Sequence, residues 1–135
     1  MLQALAIRDV VIIDRLDLTF GAELGVLTGE TGAGKSILLD ALGLATGGRA
    51  DKGLVRTGAE RCQVTAVFAV AGDHPARATL REAGLDAEDE TLVLRRVVQA
   101  DGKSRAFVDD QPVTTTLLRA VGRELVEVHG QGEQQ

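Results

Sequence analysis

Residues Gly29–Ser36 read GETGAGKS; the apolar run GVLT, residues 25–28, precedes them and ILLDALGLA, residues 37–45, follows. The octet fits G-x-x-x-x-G-K-[ST], the spacing of a phosphate-binding loop (Walker A), and the flanks predict a strand before it and a helix after it. Ile37, Leu38, Ala41, Leu42 and Ala45 recur at helical spacing. In such a loop Gly29 and Gly34 let the backbone curl, so that N–H groups from about Gly32 to Ser36 converge on phosphate oxygens beside the positive end of a helix. Glu30, Thr31 and Ala33 complete the cradle. Lys35 is expected to reach the β- and γ-phosphates, and the hydroxyl of Ser36 to ligate Mg²⁺, a hard ion that takes oxygen ligands. Ile37 follows Ser36, so no second hydroxyl stands beside it.

Outward from this unit the chain reads as an antiparallel β region. LQALAIRDV and VIIDRLDLTF, within residues 2–20, alternate as a strand pair. The glycine-rich stretch 46–61, TGGRADKGLVRTGAER, reads as a flexible surface loop. QVTAVFAV, residues 63–70, is a strand with Val64, Ala66, Phe68 and Val70 on one side, and HPARATLREAG a short helix ending at Gly84 with His74 and Pro75 marking its start. LVLRRVVQ and SRAFVD make a hairpin around residues 100–103, where Asp101-Gly102 suits a two-residue turn. TTTLLRAVGREL is a helix with a threonine to cap it, and LVEVH, residues 125–129, a final short strand.

Composition narrows the function. With 135 residues, 44% of them hydrophobic, the chain fits one domain with a real core. No stretch approaches a membrane span, and the acid-bearing start is unlike a signal peptide, which points to the cytoplasm. Fifteen basic against twenty acidic residues give a net charge of −5, so DNA contact would have to be local. Three Phe, with no Trp or Tyr, leave no platform for stacking single-stranded bases. The single cysteine, Cys62, reads as a buried strand residue.

Hydrolysis needs more than a phosphate loop: an acid on a neighbouring strand must hold Mg²⁺ and another group must orient water. The one candidate strand is AFVDD, but Arg105 interrupts its apolar run and Gln111-Pro112 follows, so Asp109 and Asp110 read as turn residues. LATGGR, residues 44–49, resembles a phosphate-sensing glycine loop, yet directly follows the helix and reads as plain loop. On its own the chain looks like half an ATPase.

Three stretches together, GETGAGKSILLDAL, VDDQPVT and VEVHGQGEQQ, resemble the amino-terminal part of the bacterial RecN family, the double-strand-break repair members of the SMC-like branch of ABC ATPases. The resemblance covers essentially all 135 residues. It implies an α/β fold of the ABC/SMC head type, in which an antiparallel β lobe joins a phosphate-loop strand-helix core, with residues 1–135 as the N-terminal lobe only. A coiled coil and a C-terminal lobe carrying the signature and Walker B motifs would then lie outside this chain. Carried over residue by residue, Gly29, Gly32, Gly34, Lys35 and Ser36 hold ATP, and Gln131 matches the Q-loop glutamine, near residues 129–135, that senses Mg²⁺ and attacking water. Many relatives have a histidine after that glutamine, where Gly132 stands here. Lys35 and Gln131 are thus the catalytic candidates, Ser36 and Gln131 those for metal. The implied partners are the protein's own C-terminal half, a second head engaged on ATP binding, and DNA ends or duplex, in a nucleoid-associated cytoplasmic protein with no membrane role.

Other residues stay open between two readings. Arg56 and Arg8 resemble positions near nucleotide or DNA, and equally suit solvated surface arginines. Arg95, Arg96, Lys103 and Arg105 give the 95–105 hairpin a local positive charge, read either as a DNA-facing patch or as an edge protected by charge. His129 reads as packing beside the Q-loop rather than as a general base. Alternative functions are an ABC transporter subunit, disfavoured because only Phe20 could stack adenine upstream of the loop, a helicase fragment, which lacks an acidic strand motif, and a non-enzymatic dimerisation lobe.

Overall fold

The computed structural model describes residues 2–19, 32–85 and 90–133, with backbone alone at 32–36 and 126–133. The expected strand at 25–28 and the first part of the phosphate loop, Gly29–Thr31, lie outside the described residues. Six strands form one antiparallel sheet in the order β2-β1-β3-β4-β5-β6. These are β1 Leu2–Val10, β2 Ile13–Thr19, β3 Arg61–Ala69, β4 Thr91–Gln99, β5 Ser104–Val108 and β6 Gln111–Val113. Three helices, α1 Gly32–Ala45, α2 Pro75–Glu82 and α3 Thr115–Glu133, complete the described elements besides a 3-10 turn at Lys52–Leu54.

Period-two alternation decides which face of the sheet is dry. On β3 Cys62, Val64, Ala66 and Phe68 are buried, and on β4 Leu92, Leu94 and Val98. Helix α1 lays Leu38, Ala41, Leu44 and Ala45 into this layer, and α3 adds Leu118, Val121 and Leu125. Burial raises the pKa of the Cys62 thiol, which packs as a small apolar residue.

Several expectations need correction. The hairpin between β4 and β5 closes with a three-residue loop. Gly102 N–H donates to the Gln99 carbonyl at 2.9 Å and Gln99 N–H to that of Lys103 at 2.7 Å, while among Ala100, Asp101 and Gly102 only Gly102 has a positive φ, +95°. A type I turn followed by a left-handed glycine fits the strand twist, so Asp101 need not adopt positive φ. Asp109 and Asp110 do form a turn, at φ +50° and +67°, and it leads into the short β6.

The 46–61 stretch is structured rather than flexible. Asp51 caps the 3-10 turn by accepting from Gly53 N–H at 2.8 Å, and Val55 bridges Val10. Val11 N–H donates to Leu54 O and Arg56 N–H to Asp9 O, both at 2.8 Å, so the stretch clasps the β1–β2 hairpin.

LVEVH is helical, continuing α3, rather than a strand. The apolar series Leu118, Val121, Leu125 already runs at helical spacing, and a helix closes its hydrogen bonds within itself. A strand needs a neighbour, and the six described strands leave none beside it.

Candidate functional site: the phosphate-loop helix and its anchor

Gly32, Ala33, Gly34, Lys35 and Ser36 form the opening turn of α1, whose first four N–H groups have no acceptor within the helix. The first turn carries no acid, so nothing in the helix competes with a bound anion. That donor set suits a nucleotide phosphate. Gln131 and His129 fall in the final turns of α3, not at a strand end, and their side chains lie outside what is described.

The other end of α1 is anchored in detail. Gly48 N–H donates to Gly43 O at 2.8 Å and Gly47 N–H to Leu44 O at 3.2 Å, with Gly47 at φ +98°. This is a Schellman cap, so LATGGR is a helix stop rather than a phosphate sensor. Thr46 Oγ1 donates to Leu42 O at 2.9 Å. Two arginines converge on the same turn. Arg96, only 2% exposed, donates through Nη1 to Gly48 O at 2.8 Å and Leu44 O at 3.2 Å, and through Nη2 to Ser104 Oγ at 3.3 Å. Arg119 on α3 donates through Nε to Gly47 O at 3.2 Å. Burial, with Arg119 nearby, pulls the Arg96 pKa down, while the helix's negative end favours its charge.

Arg96 was readable as inward-facing. It shares parity with Leu92, Leu94 and Val98, so alternation alone puts it on the dry face, apart from the hairpin's outer charges. Only Arg95, Lys103 and Arg105 face outward. Arg95 lies 4.3 Å from the Phe107 ring centroid and 3.4 Å from Asp110 Oδ1, and Lys103 and Arg105 are exposed.

The remaining candidates have structural partners. Asp109 accepts from Val93 N–H at 3.0 Å and its own N–H donates to Val93 O, which ties the β5–β6 turn to β4. Arg8 pairs with Asp17 at 2.8 Å across β1 and β2, and this bond holds the Asp17 carboxyl below its usual range. Arg56 is exposed, with its backbone pinned to Asp9. His74 Nδ1 accepts from Ala76 N–H at 3.0 Å and caps α2, the helix-start role that its place before Pro75 implied. Thr114 likewise caps α3 by accepting from Leu117 N–H at 3.0 Å. Sequence reasoning missed Arg77, which is buried on α2 and donates to Val70 O and Ala71 O, each at 2.8 Å. Among the described residues, no helix is long and apolar enough to cross a membrane.

Known proteins share this sequence pattern and fold. The DNA repair protein RecN of Xylella fastidiosa (strain 9a5c) is 47% identical over 135 residues, covering 100% of this chain and 24% of that protein. RecN of Bacillus subtilis (strain 168) is 42% identical, covering 100% and 23%. The chain thus spans about a quarter of the length of the curated relatives it matches. Among solved structures, one from work on ATP-driven dimerization and DNA-stimulated activation of SMC ATPases superposes with a TM-score of 0.71 at 18% identity, over 93% of this chain and 79% of that one. The SMC head domain from Thermotoga maritima gives 0.59 at 15% identity, over 88% and 41%. At such identities the likeness speaks for the fold. A protein-family model described as an AAA domain matches residues 4–126. The chain belongs to the AAA-domain family, with the fold of an SMC-type ATPase head and its sequence likeness in the N-terminal part of RecN proteins.

Proposed function

We propose that this chain is the ATP-binding N-terminal segment of a RecN-type, SMC-like ATPase that acts in repair of DNA double-strand breaks. The observation that carries the reading is a G-x-x-x-x-G-K-S run opening directly into a 14-residue helix that is free of acids in its first turn and packed on the sheet. Backbone N–H groups of Gly32–Ser36 would hold the phosphates, with Gly29, Glu30, Thr31, Ala33 and Gly34 shaping the loop and Lys35 reaching the transferred phosphoryl group. Ser36 and Gln131 would hold Mg²⁺, which offsets phosphate charge. Gln131 would also orient the attacking water. Arg56, beside Asp9 at the hairpin clasp, is the weaker nucleotide contact.

Asp109 and Asp110 are occupied as turn residues, so the acid for hydrolysis would come from a C-terminal half beyond residues 1–135, together with the signature motif. Two heads would then close on two nucleotides, turning nucleotide binding into dimerisation. DNA would be engaged by the whole protein, in the nucleoid of the cytoplasm. Calorimetric titration of this chain with ATP and Mg²⁺ is expected to show weak binding that Lys35→Ala abolishes, with no turnover. Turnover by the chain itself, lost in Lys35→Ala, would overturn the half-site reading and place a catalytic acid within these residues.

A further inference from the structure

Among the described residues the sheet has two open edges, β2 and β6, and they differ. β6 is 3 residues long and carries Pro112, which has no N–H to offer, so that edge is blunted against a further strand. β2 is 7 residues long, contains neither proline nor glycine, and keeps one register with β1 from Ala4↔Thr19 to Val10↔Ile13. A long, regular edge is a template for another strand.

Hydrogen-bond parity tells which groups of β2 face out. Val10 and Ile13 flank the two-residue turn at Val11-Ile12, the place of a hydrogen-bonded pair in such a hairpin. Counting by twos, Arg15, Asp17 and Thr19 spend their backbone groups on β1. Those of Asp14, Leu16 and Leu18 point away from the sheet, and no described residue meets them. The clasp from Leu54 and Arg56 takes Val11 N–H and Asp9 O, and leaves this edge uncovered.

Side chains sort by the same alternation. Leu16 and Leu18 are half-buried and packed against the core, while the Arg15 and Asp17 side chains are 70% and 53% exposed on the opposite face. Asp17 is held by Arg8 at 2.8 Å, whereas Arg15 reaches it only at 3.6 Å. When a second copy of β2 is laid antiparallel to the first, charge selects the register. A two-fold axis through residue 15 opposes Arg15 to Arg15, and one through residue 17 opposes Asp17 to Asp17, both unfavourable. An axis through Leu16 sets Arg15 of each copy opposite Asp17 of the other, in the non-hydrogen-bonded pairs where side chains come closest. That register also stacks Leu16 on Leu16 at the core side and joins the outward backbone groups of residues 14, 16 and 18. Asp14, opposite Leu18, contributes its backbone alone.

We infer that β2 is a self-association edge, through which two copies of this chain pair antiparallel about Leu16 and join their sheets. The occupant is a second copy because the charges of the edge complement themselves. The pairing uses neither the phosphate loop nor Lys35, so it is distinct from nucleotide-driven closing of two heads. A single strand pair buries less than the roughly 1,200 Å² of a stable interface, so the dimer forms at high concentration and dissociates on dilution.

Sedimentation equilibrium of the chain without nucleotide, from about 10 μM to about 1 mM, tests it and is expected to show a monomer–dimer equilibrium. Amide exchange at Asp14, Leu16 and Leu18 is expected to slow as concentration rises, while Arg15 and Asp17, already bonded to β1, stay unchanged. Arg15→Asp and Asp17→Arg each set like charges opposite one another and are each expected to weaken association about tenfold. Both side chains are exposed, so the variants keep the fold. An equimolar mixture of the two variants restores opposite signs across the pair and is expected to regain the parent's association. A monomer at every concentration, a dimer indifferent to both variants, or a mixture that stays weak would overturn the pairing. Association that appears only with ATP and Mg²⁺ would also overturn it, in favour of head closing. So would β2 amides protected at every concentration in a protein extended beyond residue 135, which would give the edge to its own C-terminal half.

Discussion

Arg96 Nη1 donates to the carbonyl oxygen of Gly48 across 2.8 Å and so bolts the middle of the sheet to the end of the phosphate-loop helix. The two residues are 48 positions apart, and the bond joins a buried guanidinium to a partly buried carbonyl, where an orphaned acceptor is costly. Arg96→Leu keeps the volume apolar but strips the donors from Leu44 O, Gly48 O and Ser104 Oγ. Leu44 O keeps the Gly47 N–H, so the expected loss is about 2–4 kcal/mol, measured by urea unfolding. A loss under about 0.5 kcal/mol would show that the cap closes without the arginine.

Glycines four residues apart on this cap should respond with opposite signs to the same methyl group. At Gly47, φ is +98° and a Cβ would lie 2.6 Å from Arg119 N and 2.8 Å from its Cβ, so Gly47→Ala forces α1 and α3 apart. At Gly43 a Cβ meets open space, and alanine is the better helix former by about 1 kcal/mol. Gly47→Ala is expected to lower stability by at least about 2 kcal/mol, and Gly43→Ala to raise it by up to about 1 kcal/mol. Thermal melts of the two variants beside the parent decide the matter; a shared sign would contradict the cap geometry.

What the sequence made legible follows from how local each signal is. The strands could be read because Val64, Ala66, Phe68 and Val70 alternate, and the stop of α2 because Gly84 stands where a left-handed residue is needed. The turn at Asp109-Asp110 could be separated from a metal-holding strand by its neighbours Gln111 and Pro112. Long-range partners were less legible. Nothing near Arg96 in sequence announces Gly48, and a four-charge hairpin looks uniform until alternation separates the inward Arg96 from the outward Arg95. LVEVH misled because β-branched valines favour strands, while no strand lies beside it among the described residues and the apolar spacing already favours helix. Of the site itself, the motif fixes the residue types and the helix that carries them. It says nothing about how the helix is held, which is the work of Arg96, Arg119 and the cap.

The start of α2 makes stability depend on pH through His74. Its Nδ1 must be unprotonated to accept from Ala76 N–H, and protonation converts the acceptor into a donor facing another donor. Burial lowers the His74 pKa below the ordinary 6.5, and nearby positive charge including Arg77 acts in the same direction, against Glu124 and Asp73. Glu124 is held by the Thr79 hydroxyl, joining α2 to α3. Because the folded pKa is depressed, the unfolded chain takes up the proton first as pH falls. Above about pH 6.5 this group adds no pH dependence, and stability declines as pH drops below 6.5 and through the lower folded value. His74→Asn keeps a neutral cap acceptor and is expected to remove that decline, whereas His74→Ala loses the cap at every pH, by about 1 kcal/mol. Urea midpoints from pH 7.5 to 5.0 for the three proteins give the test: parallel curves for parent and His74→Asn would mean that the decline comes from other groups.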